Sequence, residues 1–151
     1  MATRRTSPQR QAALTTVDDC LNRVRRAQTN KRLMRDYAER AKVFLPPLSL
    51  AVVAELHRNG PRRLKVLARQ LDVDLPRISR EVRALQDSGH LELSVDAADG
   101  RARVAQLTEF GAKSWVAYRS AVRAALVDVV REWSDEDLAA FAALFDRFLT
   151  G

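Results

Sequence analysis

One change of rhythm constrains this chain more than any other feature. Up to Leu85 the apolar residues recur at three and four positions. Beyond Gly89 they alternate, with Leu91, Leu93 and Val95 separated by Glu92 and Ser94. The first spacing marks an amphipathic helix and the second a half-buried strand. Gly89 is the expected stop between them. Residues 96–100 read as a turn and 101–107 as the returning strand, with weaker alternation. Helical spacing resumes behind Thr108. Two short strands cannot form a stable sheet in isolation, so the hairpin must lean on the helices around it. The fold class is therefore mainly α with a small β hairpin.

The helices before the hairpin divide by their punctuation. Residues 1–10 hold Ser, Thr, Pro, Gln and Arg without an apolar period, and residues 1–11 are read as a flexible basic tail. From Ala12 to about Phe44 there is neither Gly nor Pro. Leu14, Val17, Leu21 and Val24 share one stripe, and Met34, Tyr37, Ala41 and Phe44 resume it. This is one long helix, or two with a break near Thr29 and Asn30, ended by Pro46 and Pro47. A short helix spans 49–58 and stops at Asn59-Gly60-Pro61. Leu64, Leu67, Ala68 and Leu71 define the next, ending before Asp72. Asp74 caps a fourth that begins Leu75-Pro76, where proline is tolerated. Behind the hairpin, Thr108 caps a helix running to about Glu132. Ser134 starts a last one with Asp137 three residues on. The domain reading is a tail over 1–11, an N-terminal helical region over 12–47, a helix-and-hairpin unit over 48–107, and C-terminal helices over 108–151.

Two tightly joined helices followed by a hairpin make a winged helix-turn-helix, whose second helix can enter the major groove of B-DNA. Such a helix must be apolar inside and basic or polar outside. With Ile78 at the centre of the buried face and about 100° per residue, Val82 and Leu85 fall within about 40° of it. Pro76, Ser79, Arg80 and Arg83 fall on the other side, and Arg77 lies on the flank. Arginine can pair bidentately with a guanine edge. An Arg83–Asp87 ion pair at i,i+4 would sit at the end that leaves the groove. A solvated face with scattered arginines is the plain alternative. In the hairpin, Asp and Gly suit the tip. Arg101 emerges where a wing can reach a narrow minor groove. Asp99 can accept hydrogen bonds from Arg101 or from a backbone amide and shape the tip.

These residues carry a resemblance. Leu67-Ala68-Arg69-Gln70-Leu71, Ile78-Ser79-Arg80, Leu85 and Gly89-His90-Leu91 together resemble the MarR family. So does Asp99-Gly100-Arg101 followed by Leu107-Thr108-Glu109-Phe110-Gly111. The element order matches over about residues 14–150 and the motifs over about 64–111. The resemblance implies a homodimer whose first and last helices interlock between subunits. It implies recognition helices entering successive major grooves of a pseudo-palindromic site. By position, Leu75, Pro76, Arg77, Ser79, Arg80 and Arg83 fall on the recognition helix. Arg101 matches the minor-groove arginine and Asp99 its positioning acid. Gly100 stands where many relatives carry a further basic residue. Leu75-Pro76-Arg77 replaces their commoner small polar residues, so no operator can be borrowed.

Charge agrees with a polyanionic partner. The 151 residues carry a formal net charge of +7, and residues 1–45 alone hold 11 Lys+Arg against 4 Asp+Glu. The sequence pI is about 10.5. Basic chains attract nucleic acid and acidic surfaces alike. No run approaches the roughly 18 apolar residues of a membrane span. One cysteine, Cys20, allows no intrachain disulfide and fits a reducing cytosol. The chain is expected in the cytoplasm, on the nucleoid when bound to DNA. Cys20 is weighed as an oxidant sensor against a buried or inert thiol. His57 and His90 with one cysteine make no zinc set, and neither a phosphate loop nor a nucleophile–base set occurs. No enzyme, cofactor or metal is therefore expected. Tyr37, Phe44, Trp115 and Tyr118 could line a pocket for a small aromatic or phenolic effector, or could simply be core. The stripe of Phe141, Phe145 and Phe148 and that of Leu14, Val17, Leu21 and Val24 would be buried by a two-fold partner, or by each other in a monomer. The leading reading is a sequence-specific regulator of transcription, more often a repressor. Its rivals are a non-specific chromosome binder and a winged-helix protein adaptor.

Overall fold

A computed structural model describes residues 7–28 and 31–151, with the side chains of 24–28 and 31–34 left aside. It divides into residues 1–36 and 37–151. In the first unit, α1 (Pro8–Gln28) begins four residues before its expected start and takes in the end of the supposed tail. Ser7 explains the early start: its hydroxyl accepts the Arg10 amide at 3.2 Å, and Pro8 fills the first helical position. Leu14, Val17 and Leu21 lie exposed along α1. The side chain of Val24 and the expected break at Thr29 and Asn30 fall outside the described residues.

α2 (Lys31–Ala41) leads into the second unit and stops three residues short of Phe44. Lys42 takes a left-handed backbone, with φ 54°. The Val43 amide reaches back to the Ala38 carbonyl at 3.0 Å. This is a Schellman closure built on lysine instead of glycine. α3 (Pro47–Asn59) follows, closed by Gly60 at φ 73°, ψ −166°, a region open essentially to glycine alone. α4 (Leu64–Gln70) ends in the same closure as α2, now on Asp72 at φ 52°, with the Val73 amide on the Ala68 carbonyl. α5 (Leu75–Asp87) ends likewise on Gly89, and the His90 amide returns to the Leu85 carbonyl.

The sheet has three strands, not the two expected. β1 (Arg62–Arg63), β2 (Leu91–Val95) and β3 (Arg103–Leu107) lie antiparallel in the order β1-β3-β2. Leu91 faces Leu107 and Val95 faces Arg103, while Arg62 faces Ala105. The core forms where α3, α4, α5 and the sheet meet. Val52, Val53, Leu67, Ile78, Val82 and Ala105 are wholly buried there. α6 (Glu109–Val129) packs on α3, and α7 (Asp135–Thr150) is capped by Ser134. α7 buries none of its side chains in the single chain.

Candidate nucleic-acid interface

α5 is pinned first from its start. Asp74 caps it by accepting the Arg77 amide at 2.8 Å. Ile78, Val82 and Leu85 then anchor one face in the core, which turns the opposite face to solvent. Leu75, Pro76, Arg77, Arg80 and Arg83 are exposed, whereas Ser79 is half-buried on the flank. The Ser49 hydroxyl of α3 donates to the Glu81 carboxylate, a polar tie between α3 and α5. The expected Arg83–Asp87 pair does not form among the described residues. Arg83 borders a groove of about 380 Å³ with Ser79, Gln86, Leu93 and Arg103. Competing contacts along the groove are open to it, and an exposed pair would add only a few tenths of a kcal/mol.

The wing is shaped by a residue that the sequence did not single out. Asp96 accepts the amides of Ala98 at 2.9 Å and Asp99 at 3.0 Å. It also takes a bidentate pair from Arg63, both contacts at 2.7 Å. The Arg63 hydrogen bonds and the turn amides hold the Asp96 carboxyl down at about 2, from an ordinary 3.8. The same pairing raises the Arg63 guanidinium. The only sequence signal for this joint is Asp at the first turn position, where its carboxylate bonds the backbone two residues on. Farther along, Asp99 accepts the Arg101 amide at 3.1 Å. Gly100 does not adopt the left-handed backbone that would require glycine there. Between α5 and the wing lies a notch of about 430 Å³, bordered by Arg63, Lys65, Leu75, Ser79, Asp99, Arg101 and Arg103. Lys65 and Arg103 had not been read as site residues, since neither lies on the recognition helix or at the hairpin tip.

Wing and helix share a joint at His90. Its carbonyl accepts the Thr108 amide at 3.1 Å and the Thr108 hydroxyl at 3.2 Å. The Thr108 hydroxyl also reaches the Gly89 carbonyl at 2.7 Å and receives the Gly111 amide at 3.0 Å. Gly111 lies so close to the His90 backbone that no side chain fits between them. Burial lowers the His90 imidazole below its usual value, against the opposing effect of a backbone hydrogen bond at Ser88.

Of the four aromatic residues weighed as pocket lining or as core, Tyr37, Trp115 and Tyr118 lie near one another and Phe44 stands apart. Trp115 stacks on Tyr118 with ring centroids 6.1 Å apart, and Tyr37 lies close enough to act electrostatically on Tyr118. Phe44 is 70% exposed, beyond the end of α2. A groove of about 730 Å³ runs along α6 instead and takes only Trp115 of the four. Its other borders include His57, Arg119, Arg123, Leu126 and Leu138. Arg119 stands over the Trp115 ring at 5.9 Å. Cys20 is exposed on α1. Among the described residues, no three His, Cys, Asp or Glu side chains gather as a metal set.

Comparison with known proteins bears directly on this arrangement. Residues 45–102, from the start of α3 into the wing, match the model of the MarR family. The winged segment is MarR-type. The chain is 26% identical over 112 residues to an uncharacterized HTH-type transcriptional regulator, YxaD of Bacillus subtilis, covering 74% of this chain and 78% of that one. A MarR family protein from Bacillus stearothermophilus superposes with a TM-score of 0.79 at 15% identity, covering 93% of this chain and 95% of the other. The YusO protein from Bacillus subtilis gives 0.74 at 16% identity, covering 93% and 98%. The MarR-like fold thus extends beyond the matched segment.

Proposed function

We propose that this MarR-like chain regulates transcription by binding a pseudo-palindromic operator in duplex DNA as a homodimer, more often repressing than activating. The observation that carries the reading is the two-sidedness of α5. Its aliphatic face is wholly buried, while Arg77, Arg80 and Arg83 stand free on the exposed one. In this reading Leu75, Pro76, Arg77, Ser79, Arg80 and Arg83 meet the major groove. Arg101 enters the adjacent minor groove, with Asp99 shaping its approach. Two copies would set their recognition helices about 34 Å apart, one helical turn.

Homodimerisation is supported by apolar surface that one chain leaves uncovered. Phe141, Phe145 and Phe148 are each about half exposed on α7, and Leu14, Val17 and Leu21 are similarly exposed on α1. Stripes of that kind mark interaction surfaces. The groove along α6 joins an indole to two guanidinium groups, which suits a small aromatic anion and gives effector release a location. Among the described residues no helix is long and apolar enough to cross a membrane, and the regulator works in the cytoplasm. The test is fluorescence anisotropy with the duplex upstream of the gene. Preference over a scrambled duplex of equal composition is the expected result. Equal affinity for both would overturn the reading.

A further inference from the structure

Building on that DNA-binding reading, we infer that Lys65 and Arg103 form a seat for a backbone phosphodiester in the notch between α5 and the wing, with Ser79 at its floor. A protein that places one element in a major groove and another in the next minor groove must straddle the strand between them. The notch lies between those two elements here, bordered by α5 through Leu75 and Ser79 and by the wing through Asp99 and Arg101.

Its charge is specific. Four cations border it: Arg63, Lys65, Arg101 and Arg103. Arg63 is already occupied by Asp96 through two 2.7 Å contacts. Among the described residues, Lys65, Arg101 and Arg103 have no acidic partner within ion-pair distance. The one carboxylate on the notch, Asp99, accepts the Arg101 amide, and against Lys65, Arg101 and Arg103 it leaves an excess of positive charge. Arg103 also borders the neighbouring groove beside Arg83, so its guanidinium stands between two concavities that follow the face of α5. Like charges gathered around one hollow are held apart by water or satisfied by an anion, and a phosphodiester supplies an anion with two acceptor oxygens. Lys65 and Arg103 are both exposed, so either can be changed without disturbing the core.

The seat predicts a loss that ignores base sequence. In anisotropy titrations of full-length protein with a random-sequence duplex, Lys65→Ala and Arg103→Ala should each weaken binding severalfold. Each should flatten the slope of log K against log [NaCl] by about 0.9 for every subunit on the duplex. The ratio of operator to scrambled affinity should stay at the wild-type value. Lys113→Ala, which removes an exposed cation paired with Glu109 on α6, should leave the slope unchanged. Wild-type slopes in both notch variants, with wild-type melting temperatures, would overturn the seat while leaving the DNA-binding reading intact. A wild-type chain that binds no duplex would remove both. Inorganic phosphate separates a free-anion site from a backbone seat. Phosphate-induced shifts of the Ser79 and Arg103 amides, alongside unaltered salt slopes in the variants, would count against the backbone.

Discussion

Gly111→Ala should be among the most damaging single-methyl changes in the chain. Gly111 lies in the first turn of α6 against the His90 backbone. A Cβ there would stand 3.0 Å from the His90 carbonyl carbon and 3.2 Å from its Cα, and nearer still to the oxygen. Carbon atoms rest about 3.5–4.0 Å apart, so helix and strand must separate by about 1 Å. Overpacking of this kind costs about 1–3 kcal/mol. The separation also strains the Thr108 amide and hydroxyl bonds to the His90 carbonyl. Each such bond contributes about 0.5–1.5 kcal/mol. The gain in helix propensity from alanine offsets about 1 kcal/mol. The net loss is about 1–5 kcal/mol, centred near about 3 kcal/mol, which is about 6–12 °C in Tm for a chain of this size. Thermal unfolding followed by circular dichroism would measure it. A variant that melts at or above the wild-type temperature would refute the close approach and the joint built on it.

Other expectations follow from the same structure. Arg83→Ala should cost about 1–3 kcal/mol on the operator and relax base preference, whereas Arg101→Ala should weaken binding with a smaller loss of preference, both read by competition titration. Because the Asp96 carboxyl is depressed from 3.8 to about 2, the wing clamp contributes at all pH values above its unfolded value and is lost as pH falls through about 2. Protection factors of the Ala98 and Asp99 amides, taken against the intrinsic exchange rate at each pH, should therefore hold down to about pH 4 and fall between there and about pH 2; Asp96→Ala should lower them at neutral pH. His90 has the opposite charge type and the same loss on acidification. Its folded form binds a proton less readily than the unfolded one, so stability holds above about 6.5 and declines as pH drops below it. Urea melts on either side of that value would show the decline, and His90→Gln should flatten it.

Much of this architecture was legible because its signals are local. The cap at Asp74, the stripe of Ile78, Val82 and Leu85, the stop at Gly89 and the alternation of Leu91, Leu93 and Val95 each act within one turn or one strand. What escaped depends on backbone geometry or on distant pairs. Lys42 and Asp72 close helices in a left-handed conformation that glycine usually signals, so α2 gave no warning of its early end. β1 is two arginines long and has no period to read. Its partner strand lies about forty residues away, and the acid that Arg63 grips lies 33 residues away. Lys65 and Arg103 border the notch only because β1 places α4 beside β3. A shared stripe likewise fixes which face a residue occupies, not whether another element of the chain covers it, and Phe44 is 70% exposed. The motif from Thr108 to Gly111, by contrast, gains a physical cause, since the threonine ties the helix to the Gly89 and His90 carbonyls and the glycine permits the contact.

Selection from a random pool of duplex DNA, with the wild-type chain as bait, puts the outward arginines of α5 to the most direct trial. Enrichment of a two-fold symmetric motif, its halves about one helical turn apart, is the predicted outcome, and that enrichment should vanish with Arg80→Ala/Arg83→Ala. A pool that emerges as random as it entered, or one that the doubly substituted chain enriches equally, would contradict the account.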